Sequence, residues 1–370
     1  MINQSRLLSL FEQLISFDSP SFGERSICNF IKERLLKLGI IPQEDHAAAK
    51  IGGSCGNLYA FVNGALRLPP LLFCSHMDTV EPALGKKMQT DKNGVITSKG
   101  NTILGADDCA GIAAILEALT ALQQSDIPHR PLELLFTVAE EAYCKGIQEF
   151  DFTILKSRQA YVFDLTGPVG QAAYQAPTII SFEATVYGHA AHAGFSPEKG
   201  VHAIQVTAEA ITQIPLGKNQ DTAVNIGTIL GGTTNNIVPD RCKITGEIRS
   251  YSNPKALKRL QQITNILYST AKKYGAKVDI QSTRHCTAYL TNPEHPVVKR
   301  FENICIQLGL QSSLCKTFGG SDNNTLALHG VHGIVLATAM NNCHSCKEYT
   351  TEQELYRAAS LAFSLMASEI

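Results

Sequence analysis

The sequence predicts an α/β protein, a mostly parallel sheet with helices on both faces, into which a smaller ferredoxin-like α+β lid is inserted. Three observations predict it. Short apolar runs alternate with helical stretches up to about residue 176, the pattern of a parallel sheet buried on both faces. The order then changes to β-α-β-β-α-β, the signature of a ferredoxin-like unit. After residue 285 the alternation resumes. The expected division is a discontinuous domain of residues 1–176 and 286–370 and an inserted lid of 177–285.

Taken in order, Leu7, Leu8, Leu10, Phe11, Leu14 and Ile15 recur at helical spacing. Ser21 and Glu24 have capping-box spacing and open a second helix that should stop near Gly39. Asn57 to Val62 and Leu71 to Ser75 read as buried strands, and Asp91 to Gly94 as a turn between two short ones. Ala110 to Leu122 is a strong helix, followed by strands at Leu132 to Ala139 and Ala160 to Asp164. In the lid, strands are expected at Thr178–Tyr187, Val224–Leu230, Arg241–Tyr251 and Lys277–Ser282, with helices at Val201–Ile214 and Pro254–Tyr274. A helix from His295 to Leu308, a strand from Gly333 to Ala339 and a helix from Thr351 to Ile370 complete the chain.

With 370 residues, 44% hydrophobic and 18% charged, the chain has ample apolar surface for two cores and no signature of disorder. A net charge of −1 without a Lys/Arg block excludes a nucleic acid or anionic membrane held by bulk electrostatics. No apolar run approaches the roughly 18–20 residues of a membrane span. The amphipathic N-terminus is not a secretory signal, and eleven cysteines scattered without a framework fit reduced thiols. The expected location is the cytoplasm.

The chemistry gathers where predicted strands end. His76 and Asp78 follow one apolar run, Glu140 and Glu141 a second and Asp164 a third, while His344 lies just beyond a fourth. Asp107 and Asp108 stand immediately before a helix. Sites in open α/β sheets form just outside the carboxyl ends of strands, and a mixture of imidazole and carboxylate suits a nitrogen/oxygen metal centre.

These residues, with Ser75-His-Met-Asp-Thr79, Gly105-Ala-Asp-Asp108, Gly188-His-Ala-Ala-His-Ala-Gly194, Gly246-Glu-Ile-Arg249 and Gly319-Gly-Ser-Asp322, give the whole chain a resemblance to the M20 metallopeptidases, most closely their peptidase T-like, tripeptidase-like branch. The resemblance implies a zinc-peptidase catalytic domain with two divalent ions, zinc first and manganese or cobalt as alternatives. Asp107 would bridge them, His76 and Asp164 would complete one shell, and Glu141 and His344 the other. Glu140 resembles the family's general base and Asp78 the carboxylate that orients His76. Lid residue His192 corresponds to the histidine that donates to the developing oxyanion, and Arg249 to the one that holds a substrate carboxylate. Asn225 and the Asn235–Asn236 pair are further candidate contacts. Lid closure would hinge near 174–178 and 284–290.

The physical logic is consistent with these roles. Successive side chains leaving a strand diverge, so adjacent glutamates divide between ligand and base. A residue two positions after a histidine can fix its tautomer. The expected activity is an exo-acting di- or tripeptidase of aminopeptidase type on small peptides. Two alternatives stand beside it, an N-acyl amino acid deacylase of the same mechanism and a non-catalytic peptide- or metal-binding relative. The lid is also a candidate surface for homodimer formation. Cys109 stands where many relatives carry a basic residue, and Leu-Thr-Gly follows Asp164 where tripeptidases commonly have a glycine, which leaves side-chain preference open. Cys343 and Cys346 form a C-x-x-C, read as neither a redox pair nor a structural zinc site. Cys74, Cys109, Cys144, Cys343 and Cys346 all flank proposed ligands, which motivates an expected sensitivity to oxidants and thiol-binding metals.

Overall fold

The computed structural model describes residues 1–125 and 127–369. These form two compact units, one of residues 1–175, 290–317 and 321–370, the other of residues 176–289 and 318–320.

The first unit is built on a nine-stranded sheet. Its order is Gln43–Glu44, Leu58–Val62, Leu132–Thr137, Leu71–His76, Gln159–Thr166, His332–Met340, Gln171–Ala176 and Tyr289–Leu290, with Ser313–Lys316 also pairing to Gln171–Ala176. The four central strands run parallel, with His76 opposite Thr137, Cys74 opposite Val162, and Leu336 opposite Phe163. Their carboxyl ends therefore lie at one edge, which gathers the segments carrying His76, Glu140, Asp164 and His344. Leu71–His76 and Leu132–Thr137 are buried at every position, as continuous apolar strands covered on both faces require. The helix Ala106–Gln123 is apolar nearly all round and correspondingly buried. It packs against Gln4–Ile15, Glu352–Met366 and the central strands. The fold is the α/β class expected, a mostly parallel central sheet with helices on both faces and a separate antiparallel α+β unit.

Local structure departs from expectation at several places. Ser21 and Glu24 form no capping box: Arg25–Lys37 begins after Glu24 without a side-chain cap, and both side chains turn toward the carboxyl ends of the central strands. The helix expected from Ala110 begins at Ala106, with Asp107 and Asp108 in non-helical conformation and a cis peptide between them. Small or polar segments without a clear period, Gln171–Ala176, Ser313–Lys316 and Tyr349–Thr351, also form strands. The last pairs with Val95–Ser98, which in turn pairs with Met88–Thr90.

The second unit is an antiparallel sheet in the order Gly217–Asn219, Thr222–Gly231, Arg241–Ser250, Thr178–Tyr187, Lys277–Cys286. Helices Ala203–Gln213 and Asn253–Lys273 pack on it over a core that includes Ile180, Phe182, Ile244, Ile248, Ile263 and Leu267. Among the described residues, no helix is long and apolar enough to cross a membrane.

Candidate metal centre

His76 is the last residue of its strand, buried on every side. Its Nε2 stands 3.1 Å from Asp107 Oδ1 and 3.7 Å from Asp164 Oδ1. Asp107 reaches the other way with Oδ2, 3.3 Å from His344 Nε2, and Glu141 Oε1 lies 3.1 Å from the same nitrogen. Asp107 thus stands between two histidines, one accompanied by Asp164 and the other by Glu141. His76, Asp107 and Glu141 offer donor atoms within 4.8 Å of one another, as do His76, Glu140 and Asp164.

The electrostatics say what this cluster lacks. Burial and the neighbouring Asp164 push the Glu140 carboxyl well above the ordinary range. Burial raises Glu141 and brings Asp164 up to about 7. Asp107 goes the other way: burial opposes its charge, but His344 and His76 beside it hold it below the usual carboxylate range. Asp107 and Glu141 in turn raise His344 to about 10. Carboxylates concentrated in a low-dielectric setting with only two imidazoles among them need positive charge. Divalent cations supply it, and mixed imidazole and carboxylate donors suit them.

Asp78 is fully buried and its carboxylate is shared among several donors. It accepts from the backbone N–H of Glu140 at 2.9 Å, that of Glu141 at 3.1 Å and the Ser21 hydroxyl at 2.6 Å. Its Oδ1 stands 3.5 Å from His76 Nδ1, whereas its main-chain carbonyl oxygen is 2.9 Å from that nitrogen. The closer partner orienting the imidazole is therefore the backbone of Asp78, and the carboxylate also fixes the paired glutamates. The same loop is held from behind by Glu24, whose Oε1 accepts from Ala139 and from Phe22, each at 2.9 Å.

Glu348 does a comparable job at the other metal-facing segment. It is buried and accepts from the N–H of Gly105 at 2.6 Å and of Asp107 at 2.9 Å. Asp108, directed away from the cluster, accepts from the Ser75 hydroxyl, from Gly111 N–H at 3.1 Å and from His76 N–H at 3.3 Å. Ser21, Glu24 and Glu348 were not singled out from the sequence as site residues. Only Glu348, four residues beyond His344, carried a local hint.

His192, Arg249 and Asn225 belong to the second unit. His192 Nδ1 accepts from the N–H groups of Gly194 and Phe195, both at 3.1 Å. A neutral ring accepting at Nδ1 carries its proton on Nε2. The ring stacks on Phe195 with centroids 4.2 Å apart. Arg249 donates to Glu247 through Nε at 2.5 Å and Nη2 at 3.2 Å, and to the Phe318 carbonyl at 2.6 Å. Asn225 is exposed on Thr222–Gly231, in register with Glu247.

Comparison with known proteins adds independent findings. The M20-type profile described as a peptidase dimerisation domain matches residues 174–275, and that of peptidase family M28 matches residues 57–211. An uncharacterised protein of Bacillus subtilis strain 168, YqjE, is 33% identical, with 99% of each chain covered. Two solved structures are similar over 99% of this chain and 98% of theirs. One is an aminopeptidase PepT from Bacillus cereus ATCC 10987, with 35% identity and a TM-score of 0.93. The other is a tripeptidase from Staphylococcus aureus subsp. aureus Mu50, with 33% identity and a TM-score of 0.97.

Proposed function

The chain belongs to the M20 family of metal-dependent peptidases, in its peptidase T-like branch, and from that premise we propose that it is an exo-acting di- or tripeptidase of aminopeptidase type. The observation that carries the reading is the placement of Asp107 between His76 and His344, with Glu140 beside the cluster but outside the His344 contacts. In this reading Asp107, with His76 and Asp164 on one side and Glu141 and His344 on the other, would hold two divalent ions. Zinc is the first candidate, with manganese and cobalt as alternatives. Bound divalent ions polarise the scissile carbonyl and lower the pKa of water toward neutrality.

The remaining work falls to side chains of this protein. Glu140, buried beside the cluster, takes a proton from the attacking water and returns it to the leaving amine. Asp78 holds the backbone N–H groups of both glutamates, which fixes the base relative to the ligands. The tautomer of His192 leaves Nε2–H to donate to the carbonyl oxygen as charge develops there. Arg249, oriented by Glu247, binds the substrate carboxylate, with Asn225 as a neighbouring polar contact. The match of residues 174–275 to a peptidase dimerisation domain supports pairing of two chains through the second unit. The expected setting is the cytoplasm.

The test is a turnover profile of zinc- and manganese-loaded protein against di- and tripeptides and N-acyl amino acids, with a chelator control. Cleavage of peptides from a free amino terminus supports the proposal. Turnover confined to N-acyl amino acids replaces it with a deacylase, and no metal-dependent turnover of either class leaves a binding protein.

A further inference from the structure

Beside the centre just described lies a second set of metal-ligand atoms. Glu140, Cys144 and Asp322 each offer a carboxylate oxygen or sulfur, all within 4.8 Å of one another and all buried. Cys144 Sγ donates to Glu140 Oε1 at 3.2 Å. Asp322, at the start of the short helix Asp322–Leu328, is 1% exposed. Its Oδ2 accepts from the Thr137 hydroxyl at 2.5 Å, while its Oδ1 is buried without a hydrogen-bond partner. An orphaned carboxylate oxygen in such a setting is costly, and a cation is the partner that would satisfy it.

We propose that Glu140, Cys144 and Asp322 form an inhibitory site for a thiophilic divalent cation of the zinc or cadmium class. The donor set decides the class: one sulfur and two oxygens select borderline-to-soft ions over magnesium or calcium. Binding displaces the Cys144 thiol proton to solvent, and the thiolate and both carboxylates donate electron pairs to the ion without any change of oxidation state. Glu140 so engaged cannot accept a proton, and turnover stops. The inhibitory part rests on the reading of Glu140 as the base, whereas the site itself does not.

The test is titration of the enzyme, loaded with its two metal equivalents, with cadmium chloride. Peptide turnover and the ultraviolet thiolate-to-cadmium charge-transfer absorbance are followed together. Wild type should gain the absorbance as activity falls. Cys144→Ser should lose the absorbance, and Cys144→Ser and Asp322→Asn should each need about 10–100-fold more cadmium for half-inhibition relative to their own basal rate. Unchanged absorbance and unchanged half-inhibition in Cys144→Ser overturn the site. Cys144-dependent absorbance without loss of turnover overturns the role of Glu140 as base and leaves the site standing. Zinc chloride repeated in the same variants should give the same order of inhibition.

Discussion

At the scale of single residues, the assignments turn on which atom does what, and two substitutions separate them. Glu140→Gln keeps the shape and an oxygen but no proton affinity. The expected outcome is full metal content by elemental analysis and a kcat lower by about 10²–10⁴-fold. His344→Ala removes the imidazole that faces both Asp107 and Glu141, and elemental analysis should find one metal equivalent lost while the other is retained. These residues were legible because each follows an apolar run that had to be a buried strand, and a polar side chain at such an end has few other places to go. Their supports were not. Ser21 reaches Asp78 across 57 positions, and Thr137 reaches Asp322 across 185, distances no local pattern encodes. Ser21 and Glu24 even carried a misleading signal. Their capping-box spacing was real, but the buried carboxylate of Asp78 and the backbone N–H groups of Ala139 and Phe22 took these side chains instead.

At the scale of elements, the parallel strands gather the candidate ligands and polar clamps fix the loops that follow. Glu348 tests the clamp. Glu348→Ala leaves the N–H groups of Gly105 and Asp107 without their acceptor and should weaken metal binding by about 10–100-fold in competition with a chelator. Glu348→Gln keeps an oxygen acceptor and should fall between that variant and wild type. A second clamp, at Glu44, makes a pH prediction. Burial would raise Glu44, but hydrogen bonds and charge from Arg25 and Lys32 outweigh it and hold the carboxyl at about 2, against an ordinary value of 4.5. A depressed carboxyl adds stability that is complete above the unfolded value and is lost as pH falls through the folded one. The difference in Tm between wild type and Glu44→Gln should therefore be constant above about pH 5 and shrink toward pH 2, measurable by thermal melts in a buffer series. Elements with a strong period were readable from sequence, as Thr178–Tyr187 shows by matching residue for residue. Gln171–Ala176 was not, because its alanines and glutamines have no face of their own and become a strand only through neighbours from distant parts of the chain.

At the scale of the molecule, one catalytic unit is assembled from three stretches of chain and the second unit from two. The buried carboxylates at the carboxyl ends of the strands make the first unit's stability conditional on what neutralises them. Stripping divalent ions with a chelator should lower its Tm, and adding back zinc or manganese should restore it with a concentration dependence set by binding to the folded state alone. An unchanged Tm in chelator would mean that protons or another cation already fill that role.

The clamp of Glu348 on Asp107 also sets a timetable. Glu348 lies 241 positions beyond Asp107, yet it holds that residue's N–H, and His344 faces the same residue's carboxylate. Synthesis proceeds from the N-terminus at about 5–20 residues per second, so His76, Asp107, Glu141 and Asp164 emerge before His344 and Glu348. Until they do, Asp107 has neither its backbone clamp nor the facing imidazole. With His344 read as a ligand, loading of a second ion would wait for the segment that carries it.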